Sequence, residues 1–246
     1  HLNPAEGETQ NVAKHFLNHI FPKDAKCRIP LISVTGSKGK TSLIRILEKL
    51  FEEQYPGIGI MSDHKFAIGN YTYQSRKNVS VENTAIMLRD PSIDIAIAEI
   101  NDEMLTNHGL PYDFAECGVY LNTNPDDTEK AGFHYPEDLA YCHNVVTEQV
   151  LEKGISILNA DDELVTEYAD MLDVKVFWIS RQNKPEIEHR KKGDFLLFCT
   201  PEFIVLEKDN KQENLLRINE IPESWRNENG AVYESVLAAI ALNTMY

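Results

Sequence analysis

The stretch Val34-Thr35-Gly36-Ser37-Lys38-Gly39-Lys40-Thr41-Ser42 limits what this chain can fold into more than any other. Ahead of it, the apolar run Ile29–Val34 reads as a buried strand. Behind it, Thr41–Phe51 carries Leu43, Ile44, Ile46, Leu47 and Leu50 at helical spacing. A strand that turns on glycines into a helix gathers free backbone N–H groups and a positive dipole end at one point, which suits phosphate. Thr35, Gly36, Ser37, Lys38, Gly39, Lys40, Thr41 and Ser42 form the expected cradle, with Lys40 reaching the outer phosphates and the Thr41 hydroxyl placed for magnesium. The commonest loops of this kind have glycine where this chain has Val34, so the match is to the shorter Thr-Gly-x-x-Gly-Lys-[Thr/Ser] version. The competing reading is an ordinary strand-to-helix turn with two capping hydroxyls.

The 246 residues can bury a substantial core, as one large α/β domain or one domain with appendages. The chain opens on His1 rather than Met, and excision from a longer protein is the expectation. It contains no run of about 20 apolar residues and no charged start followed by an apolar stretch, so neither a membrane span nor a signal peptide is expected. Cys27, Cys117, Cys142 and Cys199 form no Cys-x-x-Cys pair. Neither structural zinc nor a disulfide framework is expected, and the cytoplasm is the expected compartment. A formal charge of −15 argues against a nucleic-acid partner. A nucleotide site tolerates it, because the positive field it needs is local.

Strand-like runs recur at 31–34, 58–61, 93–97, 118–121, 155–158 and 174–179, with helical patterns at 41–54, about 82–89, 137–152 and 161–171. The alternation predicts an α/β fold: a three-layer, mainly parallel sheet covered on both faces. Phe195–Cys199 and Phe203–Leu206 flank Thr200-Pro201-Glu202 and predict an antiparallel hairpin appended to it. The stretch 182–193 is polar, 227–230 reads as a loop, and Ala231–Met245 as a last helix. Sites in such sheets form at the carboxyl ends of strands, where Ser62, Glu99, Asn122, Asp126, Asp127, Asn159 and Asp161 collect. Glu99, after Ile95-Ala96-Ile97-Ala98, is the best metal candidate, since magnesium takes oxygen ligands. A surface carboxylate ending a strand is its plain alternative, as a turn serine is for Ser62 and a helix cap for Asp161. His15 and His19 stand at i and i+4, but Phe16 occupies the place of the Glu in the zinc-protease pattern and no third ligand is near.

Several motifs together resemble the central ATP-binding domain of the Mur ligase superfamily, nearest the Mur-ligase-like half of cyanophycin synthetases. They are the opening His1–Lys14, Arg28-Ile29-Pro30-Leu31, the 34–42 loop, Met87–Asp94, Glu137–Tyr141 and Leu158-Asn159-Ala160-Asp161-Asp162, in the family's order. The resemblance implies a linker at 1–28 leading from an upstream ATP-grasp module and a domain from 29 to 246. A C-terminal ligase domain that binds the amine would follow. It implies ATP and Mg²⁺ as cofactors, a peptide or amino-acid carboxylate as substrate, and amide formation through an acyl phosphate. Gly36, Gly39 and Lys40 would cradle phosphates, Thr41 and Glu99 would hold magnesium with Ser62 nearby, and Asn159 and Asp161 would approach the nucleoside.

The chain departs from the family at the reacting centre. Where relatives read Glu-Thr-Ala-Arg-Gly-Gly, it reads Glu99-Ile100-Asn101-Asp102-Glu103-Met104. Asp127 replaces a metal-binding His, His143 replaces the lysine that steadies the acyl phosphate, and Ser235 replaces an Asn. Asp127 remains a magnesium candidate, since that cation prefers oxygen. Lys40 and His143 are the expected catalytic positions. Three readings stay open: a ligase module of the cyanophycin synthetase type, a nucleotide-binding scaffold without turnover, and another superfamily ligase such as a folylpolyglutamate synthase.

Overall fold

In the computed structural model, residues 9–20, 28–74, 77–182, 194–209, 211–222 and 231–246 are described. The chain order is α1 (Thr9–Ile20), β1 (Leu31–Thr35), α2 (Lys40–Phe51), β2 (Ile58–Ser62), β3 (Lys65–Ile68), β4 (Tyr71–Tyr73), α3 (Val81–Met87), β5 (Ile95–Glu99), α4 (Asp102–His108) and β6 (Ala115–Tyr120). It continues with α5 (Pro136–Glu148), β7 (Val150–Asn159), α6 (Glu163–Thr166), β8 (Lys175–Ser180), β9 (Phe195–Cys199), β10 (Phe203–Lys208), β11 (Lys211–Arg217) and α7 (Ala231–Asn243).

All strands join one 11-stranded sheet in the order β11-β10-β9-β8-β7-β6-β1-β5-β2-β3-β4. From β2 to β9 the neighbours run parallel, and the outer strands at both edges are antiparallel. β1, β2 and β5 are buried at every position, as parallel strands covered on both faces must be. Ile32, Val34, Ile95 and Ile97 face a layer made by α2 and α7, through Leu43, Leu47, Leu237 and Leu242. Leu31, Ala96 and Ala98 face the other way, against Met87 of α3 and Met104 of α4. Further along that face, Leu158, Trp178 and Leu196 pack with Val165 of α6.

The predicted three-layer architecture is therefore the observed one, with local corrections. The helix expected over 137–152 ends at Glu148, because Gln149 leaves helical geometry (φ −86°, ψ 57°) and Val150 pairs with Ala115. Val150 and Leu151 fit either pattern in sequence, and pairing decides for the strand. The helix expected over 161–171 is one α-helical turn, capped by Asp162, followed by a 3₁₀ turn at Ala169–Met171. The hairpin at 195–206 forms, but it gains a third strand in β11 and is continuous with the main sheet through parallel β8/β9 pairing. The β3–β4 hairpin was not legible in the sequence, since β4 is an exposed edge strand of three residues without an apolar face. The residues 183–193 and 227–230 and Cys27 lie outside the described residues. Among the described residues no helix is long and apolar enough to cross a membrane, and no group of three or more His, Cys, Asp or Glu side chains is gathered closely enough to hold a metal ion.

β6 and α5 approach backbone to backbone at Gly118. A Cβ there would stand 2.5 Å from the Val146 carbonyl oxygen and 2.9 Å from Thr147 Cα. Gly118→Ala is expected to destabilise the domain by about 1–3 kcal/mol, the usual scale for overpacking. Urea unfolding checks it, and an unchanged midpoint would show that α5 can move off the sheet freely.

Candidate functional site

The chain passes from β1 to β2 on one side of the sheet and later from β5 across β1 to β6 on the other, so the carboxyl end of β1 is a switch point. Strand pairing sets Val34 beside Glu99 and Thr35 beside Tyr120. The 34–42 loop, Glu99 and the 121–127 segment are thereby brought together.

Gly36 (φ 131°) and Gly39 (φ 89°) adopt backbone conformations that side chains resist. A Cβ on Gly36 would also lie 3.0 Å from the Asn122 N and O atoms. Gly39 is the N-cap of α2 and offers no side-chain cap bond, so the capping alternative for the loop does not describe it. The Ser37 N–H donates to the Asn122 carbonyl at 2.9 Å and the Lys38 N–H to the Asn122 side-chain oxygen at 2.9 Å. The amides of Gly39, Lys40 and Thr41 have no acceptor among the described residues and open the helix dipole toward the cleft. The Lys40 ammonium donates to the Gly36 carbonyl, folded back over the loop. Ser42 lies in the first turn of α2, half-buried.

Glu99 is 1% exposed. Its Oε2 accepts from the Thr41 hydroxyl at 3.1 Å and from the Asp63 N–H at 3.1 Å, while its Oε1 is buried without a partner among the described residues. Burial raises its carboxyl above the ordinary range, opposed by the Asp63 amide, Lys40 and Thr41. An orphaned carboxylate oxygen beside a threonine hydroxyl and free amides fits a magnesium ion, whose charge and oxygen preference would satisfy it. The other candidates sit differently. The Ser62 hydroxyl is engaged by the following turn, with His64 Nδ1 at 2.7 Å and the Lys65 carbonyl at 3.3 Å. Asp127 pairs with Lys130 at 2.8 Å, and that bond lowers its carboxyl below the usual range. Thr35 Oγ1 is buried without a partner among the described residues.

Asn159 and Asp161 knit strand ends together. Asn159 donates to the Leu121 carbonyl at 2.9 Å, and its side-chain oxygen accepts from the Asp161 N–H at 3.0 Å. Asp161 accepts from the Ser180 hydroxyl and the Arg181 N–H, each at 2.7 Å. Ser235, on α7, donates to the Gly39 carbonyl at 2.9 Å, so the last helix touches the loop.

His143 is fully buried and reaches the cleft only through Asp102, whose Oδ1 lies 2.7 Å from His143 Nε2. Its Nδ1 faces the Thr123 hydroxyl at 3.1 Å, which in turn bonds the Tyr120 hydroxyl. Asp102 then joins Ser37, Glu103, Thr106, Asp127 and Lys130 around a cavity of about 580 Å³ beside the loop. Burial disfavours the Asp102 charge, but the His143 hydrogen bond, His143 itself and Lys40 outweigh it and lower the carboxyl below its ordinary value. Asp102 and Thr123 were not singled out in the sequence as partners of His143; α4 packing on α5 brings Asp102 to His143, and α5 packing on β6 brings Thr123 there.

The fold and loop define an α/β domain with a glycine-bearing strand-to-helix loop at a parallel-sheet switch point. A family model described as Mur ligase middle domain matches residues 34–211, and the chain belongs to that family. It is 32% identical over 196 residues to a cyanophycin synthetase from Synechocystis, covering 78% of this chain and 22% of that protein. A Nostoc cyanophycin synthetase is 27% identical over 224 residues, covering 90% and 25%. The chain thus spans about a quarter or less of these relatives' length. A solved UDP-N-acetylmuramoyl-L-alanyl-D-glutamate–2,6-diaminopimelate ligase shares the fold at TM-score 0.63 and 17% identity, over 94% of this chain and 46% of that one. A MurF ligase from Thermotoga maritima, solved in complex with ADP, does so at 0.55 and 14%, over 99% and 50%.

A carboxyl with a depressed folded pKa adds stability above its unfolded value of about 3.9 and loses it as pH falls through the folded value. The urea midpoint of the parent should therefore exceed that of Asp102→Asn most at neutral pH, with the margin narrowing below about pH 4. A margin independent of pH would show that the Asp102–His143 contact carries no charge.

Proposed function

We propose that residues 29–246 are the ATP-binding domain of an ATP-dependent ligase of the cyanophycin synthetase type, with 1–28 as the linker from an upstream ATP-grasp module. The observation that carries this reading is the pairing of two features across the end of β1. Among the described residues the Gly39, Lys40 and Thr41 amides have no acceptor, and Glu99 Oε1 opposite them is buried and has no partner. The relatives among cyanophycin synthetases support the ligase class.

In this reading Gly36, Gly39 and Lys40 hold the phosphates, and Thr41 and Glu99 hold Mg²⁺, with Ser62 and Asp127 as further ligands. Bound Mg²⁺ supplies charge neutralisation on the phosphates. Lys40 leaves the Gly36 carbonyl for the outer phosphates, and Asn159 and Asp161 shape the nucleoside side. An oxygen of a peptide or amino-acid carboxylate forms a bond to the γ-phosphorus as the bond to ADP breaks. An amine nitrogen then attacks the acyl carbon, phosphate leaves with its electron pair, and the amine's surplus proton passes to water. Positioning and charge stabilisation carry this chemistry, with little acid–base work for the protein. The part that holds the amine is proposed to lie outside residues 1–246, in keeping with relatives several times as long.

One observation favours a second reading, nucleotide binding without turnover. Asp102, Glu103 and Asp127 line the cavity beside the loop against one lining cation, Lys130, so an acceptor carboxylate would have to enter a net negative lining.

Titration calorimetry with Mg²⁺–ATP tests the binding step. Lys40→Ala should weaken binding by about 1.5–3 kcal/mol, the scale of a hydrogen bond to a charged group. Equal affinities would reduce the loop to a turn. For turnover, residues 1–246 alone should hydrolyse ATP slowly at most and form no amide. A polypeptide that also carries the flanking domains should release phosphate only when acidic peptide and amino acid are both present. Binding without turnover in that longer protein would establish the scaffold reading.

A further inference from the structure

Asn122 holds the phosphate loop from outside. Its side-chain oxygen accepts from the Lys38 N–H at 2.9 Å, and its amide nitrogen donates back to the Lys38 carbonyl at 3.1 Å. Its own carbonyl accepts from the Ser37 N–H at 2.9 Å. The two peptide groups flanking Lys38 are thus both held by one side chain. The remaining N–H of the Asn122 amide donates to Glu234 Oε2 at 2.8 Å. Glu234 sits on α7 with its side chain 13% exposed, and its other oxygen pairs with Arg181 at 3.2 Å. One residue further, Ser235 donates to the Gly39 carbonyl at 2.9 Å. The amide of asparagine has one oxygen and one nitrogen, and only one orientation satisfies Lys38 on both sides. Glu234, an acceptor only when ionised, selects that orientation.

We propose that Asn122 is the positioning residue of the phosphate loop and that Glu234 on the last helix locks it, so that α7 sets nucleotide affinity without touching the nucleotide. The inference rests on the nucleotide-binding reading above and adds residues to it. The physical reason is geometric. Gly36 and Gly39 make the loop permissive, and a permissive loop must be held from outside if its free amides are to converge on one anion. Here the hold comes from the end of β6 and from α7, which are far apart in sequence and both reach this loop. The coupling is reciprocal: nucleotide bound to the loop should make α7 harder to detach, by the same factor that α7 strengthens binding.

The test uses ADP as probe, titrated calorimetrically into the domain in the presence of Mg²⁺. Asn122→Asp keeps the acceptor for the Lys38 N–H but loses both donors and faces a carboxylate against Glu234. It should bind ADP about tenfold more weakly, the scale of one lost hydrogen bond. Adding Glu234→Gln supplies an amide donor to that new carboxylate and should restore affinity to within about threefold of the parent, a non-additive rescue that simple destabilisation does not give. Should Asn122→Asp melt below the assay temperature, Glu234→Ala carries the test, with about threefold to tenfold weaker binding and Glu234→Gln alone close to the parent. Parent-like affinity in Asn122→Asp or in Glu234→Ala, or additive losses in the double variant, would overturn the clamp while leaving the nucleotide site standing. Failure of the parent itself to bind ADP would remove the nucleotide reading and the clamp with it.

Discussion

The close approach of the phosphate loop to the end of β6 is the constraint on which the site depends. Gly36 passes Asn122 at a distance that leaves no room for a Cβ, with a φ that disfavours one. That approach is possible because β6 pairs directly with β1. Once it is made, the turn cannot relax outward. Gly39 then starts α2 without a side-chain cap, and the amides of its first turn are left for a ligand. A wider turn would satisfy its own amides and lose the site.

Around this loop the protein distributes its polar groups unevenly. Toward β6 and α7, contacts are closed: Ser37, Lys38 and Gly39 all have partners in Asn122 and Ser235. Toward β5 they are open, since Glu99 keeps an unpartnered buried oxygen and a carboxyl that burial drives upward. Buried polar groups are normally satisfied, so an exception at a strand end beside free amides carries information about what binds there. The Asp102–His143 contact shows a different economy. A fully buried imidazole bonds a carboxylate that itself faces a cavity, so of this pair only Asp102 borders the cleft.

Much of this was legible in the sequence. The 3.6-residue spacing of Leu43, Ile44 and Leu47 and the mostly apolar runs of β1 and β5 gave the parallel core and the place of the loop. Glu99 was legible because a carboxylate directly after Ile95-Ala96-Ile97-Ala98 has few other places to go. Less legible were elements whose identity depends on neighbours. Val150 belongs to a strand because Ala115 is there to pair with it, and β4 exists because β3 offers an edge. Periodicity cannot carry such information in segments of three to six residues.

By itself the sequence determined the fold class, the glycine-bearing turn between β1 and α2 and the family, because each is written in short contiguous stretches whose local physics is nearly self-sufficient. Tertiary structure alone decided which amides of the loop are spent and which are free. It also decided that His143 contacts Asp102, and that α7 meets the loop through Ser235 and its neighbour Asn122 through Glu234. Those facts join residues separated by 41 to 196 positions, and only the order in which strands assemble brings them within hydrogen-bond distance.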